Sequence, residues 1–192
     1  THFDQYIGMV EGDRDDATGK FLKPVAGGGE EIVSNTDFRS IDPFVPYQHV
    51  QHLKLSADNS FNAGRSKVDV SMGYQRNQRK EFGDPDNSND PVAYFDLNTV
   101  NYTLKWNLPY KENWRTSIGL SGMNQTNKNK AGEALIPDYD LFDLGGFVFT
   151  QHHQGKLSLS GGLRFDNRHV DGKEMMEGVD TKFAAFTKNF SN

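Results

Sequence analysis

Along residues 99–109, TVNYTLKWNLP, apolar and polar side chains alternate one by one. Val100, Tyr102, Leu104, Trp106 and Leu108 fall on one side; Thr99, Asn101, Thr103, Lys105 and Asn107 fall on the other. Successive side chains of a β-strand point to opposite faces, so the pattern predicts a strand with one apolar and one polar surface. Ordinary strands run roughly 5–6 residues, whereas a strand crossing a bilayer needs roughly 9–11. The unbroken length of this alternation points to lipid on the apolar side rather than a core.

The same period recurs. Residues 51–61 set Leu53, Leu55, Ala57 and Phe61 against His52, Lys54, Ser56, Asp58 and Ser60. Residues 66–76 set Val68, Val70, Met72 and Tyr74 against Lys67, Asp69, Ser71, Gly73 and Gln75, and the pair reads as a long hairpin about the turn 62–65. Trp114, Thr116, Ile118 and Leu120 oppose Arg115, Ser117, Gly119 and Ser121. Leu157, Leu159, Leu163 and Phe165 oppose Lys156, Ser158, Ser160, Arg164 and Asp166. Two stretches are of mixed phase. In 141–150, Phe147 and Phe149 point one way and Leu144 and Val148 the other, which predicts burial on both faces or a bulge. The last strand carries Phe183, Phe186 and Phe190. Residues 1–10 read as a strand with Phe3, Gln5, Ile7 and Met9 on one side, followed by a long polar segment to residue 46.

Short turns at 62–65, 109–113 and 151–155 alternate with polar loops at 77–95, 125–140 and 167–180. In an up-and-down meander this puts short turns at one end and long loops at the other, as in outer-membrane barrels. Trp106, Tyr110 and Trp114 flank one short turn, and such rings favour the membrane–water interface. The fold class expected is all-β: an antiparallel up-and-down meander of long strands, part of a transmembrane β-barrel. Residues 1–46 form a strand and a long polar loop, and 47–192 a barrel segment of about six to seven long strands. An antiparallel sheet in a soluble sandwich also alternates, so a sandwich module stands beside this reading.

Composition narrows the classes. No run of about 18 apolar residues exists to make a transmembrane helix. There are no cysteines, which removes disulfide and thiolate–metal scaffolds. The net charge of −5, with no basic cluster longer than 76–80, argues against a nucleic-acid partner. Nineteen glycines with frequent Asn, Ser and Thr suit a turn-rich β protein. The chain opens at Thr1 without a charged-then-apolar leader, so a processed chain or a piece of a larger one is expected.

The stretch 136–151, IPDYDLFDLGGFVFTQ, followed by 155–168, GKLSLSGGLRFDNR, resembles a late barrel hairpin of TonB-dependent outer-membrane receptors. Residues 47–84, YQHVQHLKLSADNSFNAGRSKVDVSMGYQRNQRKEFGD, resemble an earlier hairpin of the same family. The resemblance covers most of 47–192 and rests on barrel phrasing, not on an invariant motif. It implies seven or eight strands out of a barrel of about twenty-two. It also implies a plug domain and a TonB-engaging segment, neither recognisable here. The implied activity is uptake of a scarce nutrient, such as a ferric siderophore, haem, cobalamin or a glycan. The implied partners are outer-membrane lipid, TonB through the missing plug, and a small-molecule or metal-chelate ligand. An alternative is a complete small barrel of structural or adhesive role, closed by pairing of 1–10 with 183–190. An isolated segment exposes two strand edges and an apolar face, so self-association, or rolling of the apolar faces into a small core, is expected.

No cofactor and no enzymatic role are expected. No serine has a histidine and an acid at suggestive spacing, and no G-x-S-x-G occurs. The one metal candidate is a calcium loop at Asp84, Asp86, Ser88 and Asp90, with oxygen side chains at alternate positions. A calcium loop also wants glycine at its sixth position and glutamate at its twelfth, where this chain has Asn89 and Phe95. His49 and His52 are predicted on opposite strand faces, and His152 and His153 in a polar turn. Lys54, Asp58, Lys67, Asp69, Lys105, Arg115, Arg164 and Asp166 belong to the polar face, either as a wet lumen lining or as cross-strand charge pairs.

Overall fold

A computed structural model describes residues 1–8, 13–177 and 180–192. In chain order its strands are β1 (His2–Gly8), β2 (Leu22–Pro24), β3 (Glu30–Ile32), β4 (Tyr47–Ala63), β5 (Ser66–Phe82) and β6 (Ala93–Asn107). They continue as β7 (Trp114–Asn129), β8 (Tyr139–Gln154), β9 (Leu157–Gly172), β10 (Met175–Glu177), β11 (Asp180–Phe183) and β12 (Phe186–Ser191). One 3-10 turn, Asp37–Arg39, is the helical element among the described residues. Eight strands make one antiparallel meander in the order β1-β4-β5-β6-β7-β8-β9-β12. The remaining four form two small hairpins.

The long strands run further than the apolar pattern predicts. β4 and β5 have 17 residues each, β6 has 15, and β7, β8 and β9 have 16. At about 3.3 Å per residue, 16 residues reach about 53 Å. The expected loops shrink to 83–92, 130–138 and 173–174, while the turns become 64–65, 108–113 and 155–156. The missing signal is physical. Where both faces of a strand are polar, hydropathy carries no period, yet the ladder and polar cross-strand pairs persist. Tyr74 donates to Asn98 Oδ1 at 2.8 Å, and Tyr139 to Gln125 Oε1 at 2.7 Å, both inside segments expected to border or lie in loops.

The termini also depart from expectation. β1 is a true strand, but it pairs with β4, His2 opposite Leu53 through Gly8 opposite Tyr47. The expected strand side of Met9 lies outside the described residues. β12 pairs with β9, and Phe183 belongs instead to β11, paired with β10. The sheet is not closed, so the terminal pairing needed for a complete small barrel is absent among the described residues. The mixed phase of 183–190 is therefore two strands read as one.

β8 pairs without a register break on both sides, against β7 and against β9, so no bulge shifts its phase. Phe142, Leu144 and Val148 lie on the apolar face. Phe147 and Phe149 sit on the polar face, where the neighbouring positions opposite are Gly119 and Gly162. A Cβ at Gly119 would stand 2.6 Å from the Phe147 ring. The ring thus fills the space that the glycine leaves.

The segment 13–46 is not structureless. β2 and β3 are joined through Gly27, Gly28 and Gly29, all with positive φ (82, 86 and 97°), a region open to glycine without steric cost. Lys23 reaches Glu31 at 2.8 Å and Asp37 at 2.9 Å.

The chain divides into two compact units. The first comprises 1–53, 76–96 and 128–136. It holds a small core of Val33, Val45, Phe82 and Ala93, and Tyr47 stacks on Phe82 with centroids 4.4 Å apart. The second comprises 54–75, 97–127 and 137–192. Its apolar face remains exposed: Leu104 is 46% exposed, Leu159 59% and Leu163 79%. The expected rolling of these residues into a closed core does not occur.

Candidate functional site

The second unit's polar face carries its candidate chemistry. Strand alternation places Asp69, Lys105 and Asn107 there, and hydrogen bonds join them. The Asp69 carboxylate accepts from Ser60 Oγ at 2.7 Å and from Asn107 Nδ2 at 2.7 Å. Lys67 stands at 3.2 Å and Lys105 at 3.3 Å from it. Asn107 in turn accepts from Ser117 Oγ at 2.8 Å. One acid therefore gathers donors from three successive strands, and Asn107 extends the network to a fourth.

A second network lies on β8 and β9. Arg164 grips Asp166 through Nε at 2.6 Å and Nη2 at 2.5 Å. Arg168 donates to Asp143 at 3.1 and 2.5 Å. With Phe190, Ser191 and Asn192 these four frame an open cavity of about 520 Å³. Another, of about 450 Å³, is lined by Arg65, Arg115, Tyr110, Phe149 and Gln151 among others, with Arg115 5.7 Å from the Tyr110 ring centroid. The paired acids and bases leave the first cavity close to neutral, with polar groups converging around an apolar ring.

Of the polar-face residues expected from sequence, the structure brings Lys67, Asp69 and Lys105 together, and Arg164 with Asp166. Arg115 enters through its ring contact. Asp58 is exposed and outside these networks. Ser60, Asn107, Ser117, Asp143 and Arg168 were not singled out from sequence. A signal existed for the last two. Carrying the ladder outward from the 155–156 turn puts Asp143 opposite Arg168.

The calcium candidate does not assemble. Asp84 turns its oxygens onto its own loop, accepting from the Asp86 amide at 2.9 Å and from Asn87 Nδ2 at 2.7 Å. These donors, Asn87 first, hold its carboxyl below the ordinary range. Asp86 accepts from the Gly27 amide at 2.6 Å, and the Ser88 carbonyl from Tyr47 at 3.4 Å. Asp90 offers its own amide to Asn87 O at 2.9 Å. Among the described residues no group of three or more His, Asp or Glu converges on a metal position.

The histidines are likewise engaged singly. His49 Nε2 lies 2.6 Å from Asp4 and its ring stacks on Tyr6 at 4.1 Å. His52 Nδ1 meets Asn77 at 3.1 Å. His152 and His153 are strand residues of β8, not turn residues, and His152 packs against Trp114 at 4.5 Å. The turn is shorter than expected because the ladder continues to Gln154 opposite Leu157.

No protein-family model, curated protein or solved structure matches the chain.

Proposed function

We propose that this chain is part of the barrel wall of an outer-membrane receptor that imports a scarce nutrient in a TonB-dependent way. The observation that carries this reading is the two-sidedness of the second unit. Its apolar face is exposed on every long strand, while its reverse face is tied by charged and polar side chains. Monomeric soluble proteins rarely expose contiguous apolar patches beyond a few hundred Å². A soluble sandwich would cover that face with a second layer. Lipid is the solvent in which such a face is satisfied and alternation is retained. An open sheet with long strands suits a wall segment, whose edges continue into further strands. The polar face then lines a wet lumen, and its cavities are where a solute or chelate would pass. The nutrient class comes from the family resemblance alone.

Deletion of the reading frame that contains this chain in its own host tests the proposal. Growth would be measured with ferric siderophores, haem, cobalamin or glycans as the limiting source. Loss of growth on one source, matched by a strain lacking TonB, is the expected result. Unchanged growth on all of them, or recovery of the protein in the soluble fraction, would overturn it.

A further inference from the structure

The polar face of the second unit treats its arginines in two ways. Arg164 and Arg168 each close on an acid, Asp166 and Asp143, so the cavity they frame carries its own counter-charges. The cavity of about 450 Å³ at the short-turn end carries none. Arg65, Lys67 and Arg115 line it, and no aspartate or glutamate does. Among the described residues neither Arg65 nor Arg115 pairs with a carboxylate. The neighbouring acids are engaged elsewhere. Asp69 accepts from Ser60 and Asn107 and is shared by Lys67 and Lys105. Glu112 stands 3.7 Å from Lys111.

Backbone pairing fixes the walls. The Leu108 amide donates to Thr116 O at 2.9 Å, and Lys111 and Trp114 exchange backbone bonds at 3.3 and 2.8 Å. Between these two, Glu112 and Asn113 take positive φ, 50 and 67°, the turn geometry whose twist matches its flanking strands. That closure sets Arg115 across from Gln151 and Ser117 across from Phe149. Gly64, with φ of 62°, turns β4 into β5 and delivers Arg65 to the same end. Asn107 ties the strands between. Its Nδ2 donates to Asp69 at 2.7 Å and to the Lys67 carbonyl at 3.3 Å, and its Oδ1 accepts from Ser117 at 2.8 Å. Leu108, Tyr110 and Phe149 supply the apolar part of the lining. The Arg115 guanidinium lies 5.7 Å from the Tyr110 ring centroid, within the range of a cation–π contact.

We propose that this cavity binds a small organic anion, its carboxylate or phosphate held by Arg65 and Arg115 and its planar apolar body set against Phe149 and Leu108. A guanidinium fork matches either oxyanion with two parallel hydrogen bonds, and Lys67 adds a point charge. On the same sheet face Arg164 and Arg168 find that acid within the chain; here a ligand supplies it. The volume falls within the roughly 300–1,000 Å³ of small-molecule sites. The inference goes beyond the membrane reading and does not need it, since every group it uses lies on the polar side of one unit.

Calorimetric titration of the full-length protein containing this chain tests the site. A non-ionic detergent keeps the protein dispersed whether or not it spans a bilayer. The probes are benzoate, phenyl phosphate, inorganic phosphate and benzyl alcohol. Benzoate and phenyl phosphate should bind, the latter about tenfold tighter than inorganic phosphate because its ring leaves water. Arg65→Gln and Arg115→Gln should each weaken binding about tenfold, the worth of one charge-assisted hydrogen bond, and the double variant should bind more weakly than either. Lys156→Gln removes the same charge from the exposed 155–156 turn, outside the cavity, and should change nothing. Far-UV circular dichroism equal to wild type establishes that the variants fold. Absence of binding by both organic anions, benzyl alcohol bound as tightly as benzoate, a double variant that binds like wild type, or an equal loss in Lys156→Gln overturns the site. Inorganic phosphate bound as tightly as phenyl phosphate overturns the organic body. Recovery of the protein in the soluble fraction overturns the membrane reading and leaves this site standing.

Discussion

Two stretches of the same strands are held by different forces. In the second unit, Met72, Leu104 and Leu163 stand exposed on one face, and no other described residue covers them. In the first unit, Arg76, Asp96 and Lys130 carry on the same alternation, yet they bond to one another and bury the carboxylate between them. Backbone pairing is common to both. What differs is whether the side chains of each stretch find partners within the chain. The first arrangement leaves its apolar side chains exposed, and on the proposed reading lipid covers them; the second supplies its own polar partners.

Placing a charge on the apolar face should break this contrast most severely. On the proposed reading Leu104→Arg costs about 2–4 kcal/mol if Leu104 lies near the bilayer midplane. Urea unfolding from lipid vesicles would measure it. Next comes Asp96→Asn. It removes the charged acceptor between Arg76 and Lys130 and should cost about 2–3 kcal/mol, the worth of hydrogen bonds to a buried charge. Replacing Arg76 and Asp96 together should recover much of the loss, as a double-mutant cycle would reveal.

Gly119→Val sharpens the comparison from the polar side. The added Cβ would meet Leu104 O at 2.5 Å and the Phe147 ring at 2.6 Å. An overpacking cost of about 1–3 kcal/mol is expected, and Phe147→Ala should relieve the part due to the ring.

The smallest effect is the pH response of the β2–β3 hairpin. Lys23, followed by the Ser34 amide and hydroxyl, holds the Asp37 carboxyl down at about 2. An unfolded Asp titrates near 3.9. The folded value is the lower one, so the contribution is complete above about 4 and disappears as pH falls through about 2. Amide exchange of Glu31 and Ile32 should accelerate across that window, and Asp37→Asn should flatten the response.

Particular elements show how far hydropathy reads. In β6 over 100–106 and in β9 over 157–165 one face is free of polar and charged aliphatic side chains, and the alternation announces both strands. β8 misleads because Phe147 and Phe149 occupy the polar face. Gly119 and Gly162, on strands far apart in the chain, make the room, and a local pattern does not contain that fact. The strand ends at 77–82, 125–129 and 167–172 look like loops in the sequence because polar residues on both faces carry no period. Asp143 and Arg168 were recoverable by counting from a tight turn. The Asp96 cluster was not, since Arg76, Asp96 and Lys130 meet only once three strands are in register.

The amino-acid order by itself determined that this is an all-β chain of long strands with one greasy and one wet side, since a period of two is imposed by the pleat of the backbone. Tertiary pairing alone decided where each strand ends, that β1 and β12 are edges rather than partners, and which charges share a carboxylate. Those outcomes depend on residues distant in the chain coming within hydrogen-bond reach, and hydropathy along one segment does not encode that proximity.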